Sequence, residues 1–106
     1  MLINYISNAM FSLNMDVELI NWLKDGKYRI KTLRLLSAKP MLSSEVANRL
    51  GINRASMSRI LRGLKERGLV SAVSGKSRTV TYVLTKKGLG ALKISGVQKN
   101  ETDKTH

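Results

Sequence analysis

The chain of 106 residues has no cysteine, and its single histidine is the terminal His106. Disulfide frameworks, thiolate metal centres and imidazole clusters are thereby excluded, as are a cysteine nucleophile and an internal histidine base. Lack of cysteine also fits a reducing compartment, so the expected location is the cytoplasm. Carboxylates are scarce, with seven Asp and Glu in all, and they form no close pair suited to acid–base chemistry. A glycine-rich phosphate loop is missing too. The expectation is a protein that is not an enzyme and carries no cofactor and no metal. Long apolar runs are equally absent. Met1 to Met15 is rich in apolar residues, yet Asn4, Asn8 and Asn14 interrupt it, it has no cationic leader, and it is too short to span a bilayer. We read it as part of the mature, soluble protein, with no membrane partner.

What the chain has in excess is positive charge. Nineteen Lys and Arg give a net charge of +12. Residues 27–99 hold 17 basic and 2 acidic side chains, whereas residues 1–26 carry a net −2 and residues 100–106 a net −1. The cationic character therefore belongs to the middle of the chain. Such a surface concentrates polyanions and speeds their association, which makes nucleic acid the first partner to consider. The length allows one domain with a modest core, to which an oligomer interface could add stability.

Local patterns divide that length. Asn14 or Asp16 can cap a helix in which Val17, Leu19, Ile20, Trp22 and Leu23 recur at near-helical intervals, and Asp25-Gly26 interrupts it. A second helix is expected over about Lys27 to Ala38, ended by Lys39-Pro40, the only proline. Ser43 is the expected N-cap of a third, with Glu45 in its first turn. Gly51 supplies a turn, Asn53 caps a longer helix from about Arg54 to Arg67, and Gly68 suits its left-handed end. Leu69 to Val73 and Thr79 to Leu84 are rich in β-branched residues and flank a polar connection over 74–78, which predicts a β-hairpin with a basic tip. A short helix is expected after Thr85, weakened by Gly88 and Gly90, and residues 95–106 are expected to be a polar, flexible tail.

The run from Ser43 to Arg67, a short helix, a glycine turn and a longer cationic helix, is the pattern of a helix-turn-helix, in which the second helix can enter the DNA major groove. At about 100° per residue, Met57, Ile60, Leu61 and Leu64 form its inner arc, and Ala55, Arg59, Arg62 and Glu66 the opposite one. Ala55, Ser56 and Arg59 are the candidates for base contact, since arginine can donate two hydrogen bonds to guanine. Arg54, Ser58, Arg62 and Lys65 suit phosphate, as do Ser43 and Ser44 at the start of the preceding helix. A lone charged helix is ordinarily just a solvated surface. Here a hairpin tip with Lys76, Ser77 and Arg78 follows directly, which favours a winged helix-turn-helix over residues 27–94: a mainly α fold with a three-helix core, a small hairpin wing and a short C-terminal helix, preceded by an extra N-terminal helix within residues 1–26. The bland alternative for Lys76 and Arg78 is that charge keeps the hairpin soluble.

The segments Ile52 to Arg59, Leu64 to Val70 and Tyr82 to Gly88 resemble the winged helix-turn-helix regulators of the MarR and ArsR type, particularly small archaeal ones, over about residues 27–94. That resemblance implies a homodimer that binds operator DNA, with the helix from Arg54 in the major groove and the wing around Lys76 to Arg78 on the flanking backbone. Repression is the expected sign by family analogy.

Residues 1–26 carry more apolar side chains than a winged core requires. They are expected to form the dimer interface, with Ile6, Met10, Phe11, Leu19, Trp22 and Leu23 in it and the aromatics as anchors; the alternative is that the segment simply caps its own domain. The leading function is a sequence-specific regulator acting on double-stranded DNA. One alternative is a nonspecific DNA- or RNA-binding accessory; with Trp22, Phe11 and Tyr5 outside the basic region, stacking on single strands is disfavoured. The other is a winged domain used for protein contacts. A small-molecule effector is compatible with the chain, but no motif supports one.

Overall fold

The structure, a computed structural model, describes the backbone of residues 17–75 and 77–104 and the surroundings of side chains up to Ser95. Helix α1 covers residues 17–25 and breaks at Gly26. It is followed by α2 (Arg29–Ala38), β1 (Met41–Leu42), α3 (Ser43–Leu50), α4 (Arg54–Glu66), β2 (Val70–Ser74), β3 (Val80–Leu84) and α5 (Lys86–Lys104). This is a winged helix: helices around one core, with an antiparallel sheet at one side.

The core is built where the helical intervals predict it. Leu23, Leu33, Val46, Met57, Leu61, Leu64 and Leu69 are wholly buried, each such side chain contributing about 1.5–3 kcal/mol through removal from water. Ile60, on the same arc of α4, is half-buried against that cluster. α3 and α4 pack on each other, α2 lies against α5 and β3, and α4 rests on β2.

Both glycine turns form as expected. Gly51 has φ of 68° and its N–H donates to the carbonyls of Ala47 and Asn48, while Ile52 donates to Ala47 at 3.1 Å. Gly68, with φ of 77°, lets Leu69 donate back to the Leu64 carbonyl at 2.9 Å and so drops its side chain into the core. Positive φ is nearly free for glycine and costly for other residues.

Three expectations need correction. The sheet is three-stranded in the order β1-β3-β2, because Met41 and Leu42, extended after Pro40, pair with Tyr82 and Thr81 on the far side of the hairpin. That pairing also displaces the cap of α3. The N-cap is Leu42, not Ser43; held in the sheet, Leu42 is the last extended residue, and its N–H donates to Glu45 Oε1 at 3.0 Å. The third concerns α5, which runs for 19 residues to Lys104 rather than stopping short. The polar tail expected over 95–106 is thus helical through Lys104. Burial is not required there: once nucleated, a helix extends by one backbone hydrogen bond per added residue.

Candidate nucleic-acid interface

The start of α4 is organised by Asn53, whose side-chain oxygen accepts from Ser56 N–H at 2.8 Å and whose carbonyl accepts from Met57 N–H at 3.1 Å. The cap engages the Ser56 amide and leaves the first turn pointing outward. Arg54, Ala55, Ser58, Arg59, Arg62 and Lys65 are all exposed, and Ser56 is half-buried. The inner arc of Met57, Leu61 and Leu64 fixes this orientation, since those three have no exposed surface. An outer face of small residues, hydroxyls and arginines is therefore presented by a helix that cannot rotate without opening the core.

Ser43 and Ser44 at the start of α3 meet Arg54 at the start of α4 in a cleft of about 350 Å³. Leu42, Thr79, Val80 and Tyr82 complete its lining. The two helix starts of the helix-turn-helix and the base of the wing thus share one concavity. Thr79 and Tyr82 were not among the residues singled out from sequence. Strand alternation puts Val80 and Tyr82 on one face of β3, but only β1, a two-residue strand with no periodicity to read, brings that face to Ser43.

The wing is a register of five pairs from Val70↔Leu84 to Ser74↔Val80, closed by Gly75 N–H to the Thr79 carbonyl at 3.1 Å. Ser77 and Thr79 hydroxyls are 3.2 Å apart. Arg78 is exposed and holds φ of 66° without being glycine, which costs about 1–2 kcal/mol. Lys76 lies outside the described residues.

The residues expected at a dimer interface separate. Ile6, Met10 and Phe11 lie outside the described residues. Leu23 has no exposed surface in its own chain; it belongs to the monomer core and cannot touch a partner. Trp22 is half-buried against its own chain, with the guanidinium carbons of Arg29 and Arg67 each 4.0 Å from its ring centroid. Leu19 alone lines an open groove of about 220 Å³ with Ile20, Lys87, Gly90, Ala91 and Ile94. Val17, Leu89 and Ile94 are exposed large apolar residues on the same two helices.

Among the described residues no group of three or more acidic, His or Cys side chains could hold a metal ion. No helix among them is long and apolar enough to cross a membrane.

No curated protein matches the chain. Among solved structures, the zinc-responsive MarR family member ZitR of Lactococcus lactis is similar with a TM-score of 0.66 at 23% identity, over 76% of this chain and 57% of that one. The chain thus spans little more than half of ZitR. MepR, a transcription regulator of the Staphylococcus aureus multidrug efflux pump MepA, gives a TM-score of 0.71 at 19% identity over 96% of this chain and 79% of its own. The transcriptional regulator BldR of Sulfolobus solfataricus gives 0.68 at 22% identity over 98% and 78%. At these identities the likeness is one of fold. A family model, HVO_A0261 N-terminal domain, matches residues 18–94. The chain belongs to the family of HVO_A0261 N-terminal domains, and its fold is the MarR-type winged helix-turn-helix.

Proposed function

We propose that the protein is a transcription regulator that reads a specific sequence in double-stranded DNA. The observation that carries this reading is the convergence of Ser43, Ser44, Arg54 and the base of the wing on one cleft, beside an exposed arc bearing Arg59 and Arg62. In such an arrangement α4 enters the major groove, with Ala55, Ser56 and Arg59 toward base edges. Arg54, Ser58, Arg62 and Lys65 hold phosphates beside it, and Lys76, Ser77 and Arg78 take the backbone that flanks the groove. A ZitR mutant of the same fold has been solved in complex with DNA, and MepR and BldR are described as transcription regulators. Both lend support by fold.

The active species in this reading is a homodimer in the cytoplasm, binding as a repressor. Of the side chains expected at its interface, Leu19 retains surface for that purpose, beside the exposed Ile94 in the groove between α1 and α5. Two recognition helices then address half-sites about 34 Å apart on one face of the duplex.

Selection of bound sequences from a random duplex pool tests the proposal. An enriched inverted repeat with that spacing is the expected outcome. Recovery of unselected sequences, with unrelated duplex competing as well as any selected one, would falsify specific reading and leave a nonspecific binder.

A further inference from the structure

We infer that the recognition helix is aimed from its C-terminal end, and that Trp22 and Thr85 are the positioning residues that hold that end; the inference rests on the DNA-reading role proposed above. Neither residue belongs to the exposed arc of α4 or to the wing tip. Both connect a flanking helix to the last turn of α4 and the residues just after it.

Trp22 arrives from α1. A Cβ placed on Gly63 would stand 3.2 Å from Trp22 Cζ2, so the indole packs closely enough on α4 that any side chain there would push it by a few tenths of an ångström. Glycine inside a helix costs about 1 kcal/mol relative to alanine, and here it makes room for that contact. The Arg67 guanidinium, at the C-cap of α4, lies 4.0 Å from the ring centroid, as does that of Arg29 from α2. Arg29 also donates to the Trp22 carbonyl. One ring thereby ties α1 and α2 to the far end of the recognition helix.

Thr85 arrives from the start of α5. Its hydroxyl donates to the Gly68 carbonyl at 2.6 Å and accepts from Gly88 N–H at 3.0 Å, while its own N–H donates to the Leu69 carbonyl at 3.1 Å. Gly88 must lack a side chain, because a Cβ there would overlap the Leu69 carbonyl oxygen. The first turn of α5 is therefore joined directly to the two residues that follow α4 and its C-cap.

The consequence is a lever. A helix of 13 residues is about 20 Å long, so a tilt of about 10° at the held end moves its first turn by about 3 Å. Base contacts tolerate about 0.5 Å. Attraction to phosphates acts over a Debye length of about 8–10 Å and tolerates the displacement. Loosening either attachment thus degrades discrimination first and general affinity last. A merely structural role would lower the melting temperature and leave the discrimination of folded molecules intact.

The test measures affinity of the full chain for its selected operator and for unrelated duplex, well below the melting temperature, in wild type, Thr85→Val, Thr85→Ser and Trp22→Leu. We expect the specific-to-nonspecific ratio to fall roughly tenfold in Thr85→Val and Trp22→Leu, with nonspecific affinity within about twofold, and to recover in Thr85→Ser, which keeps the hydroxyl. An unchanged ratio in folded Thr85→Val overturns the inference. Should Thr85→Val not fold, an unchanged ratio in Trp22→Leu overturns it equally. A wild type that selects no sequence removes the proposed reading and this inference together, and that result is seen before any variant is made.

Discussion

The side-chain oxygen of Asn53 stands 2.8 Å from the amide nitrogen of Ser56, so the helix that faces outward at its first turn is closed by a neutral acceptor rather than a carboxylate. Neutrality matters here because the same turn carries Arg54 and adjoins the cleft lined by Ser43 and Ser44. Asn53→Ala should cost about 1 kcal/mol of stability through loss of the cap, measured by denaturant unfolding. Asn53→Asp should keep the stability, since aspartate caps equally well, yet weaken DNA binding by placing a negative charge beside phosphates. Equal DNA affinity for Asn53→Asp and wild type would remove α4's first turn from the interface.

Arg59 and Arg62 occupy the same exposed arc of α4 but are assigned different partners. Arg59→Ala should reduce discrimination between operator and random duplex by about 1–3 kcal/mol. Arg62→Ala should weaken both alike and lower the slope of log affinity against log salt by about 0.9. Titrations at several salt concentrations separate the two effects, and interchange of the outcomes would reverse the assignment.

Strain and charge meet at Arg78, the described non-glycine residue with positive φ. Arg78→Gly should stabilise the fold by about 0.5–1 kcal/mol while reducing DNA affinity, seen as a higher melting temperature and weaker binding in one variant. A variant that gains stability and loses no affinity would show that the wing cation is solvated only.

Leu23 distinguishes the monomer core from an interface. Because it has no exposed surface in its own chain, Leu23→Ala should lower unfolding free energy by about 2–5 kcal/mol, and the loss should not depend on protein concentration. A loss that vanishes at high concentration would return Leu23 to a subunit contact.

Close approach makes Gly88 irreplaceable for a different reason. Gly88→Ala brings a Cβ onto the Leu69 carbonyl oxygen and the Leu84 side chain, and overpacking of this kind costs about 1–3 kcal/mol. Thermal unfolding should show a drop of several degrees, although alanine is the better helix former. Unchanged stability would mean that α5 can move away from the α4–β2 junction at little cost.

The helix-turn-helix was legible because its signals are local. Gly51, Asn53 and Gly68 each settle one turn or cap through their own backbone or side chain, and the arc of Met57, Leu61 and Leu64 follows from helical spacing alone. What sequence concealed depends on residues far apart in the chain. The pairing of Met41 with Tyr82 has no periodic signature in two residues, yet it moved the cap of α3 from Ser43 to Leu42 and brought Thr79 and Tyr82 into the cleft. The intrachain surroundings of Trp22 are hidden for a related reason: only the fold brings Arg29, Gly63 and Arg67 against its ring. The length of α5 is not legible in sequence, because the extension of a helix already nucleated does not depend on buried apolar surface.

The hairpin register ends at Ser74↔Val80, and β3 is flanked on its other side by β1, so alignment of the strands is complete before the tip begins. Residues 75–79 carry the charge of the wing without setting its registration. Their number can therefore change as a unit: an insertion there would lengthen the wing while the Leu42–Thr81 pairing, and with it the cleft beside α4, stays in place. The length of the wing and the outer face of α4 are thus separately adjustable in this architecture.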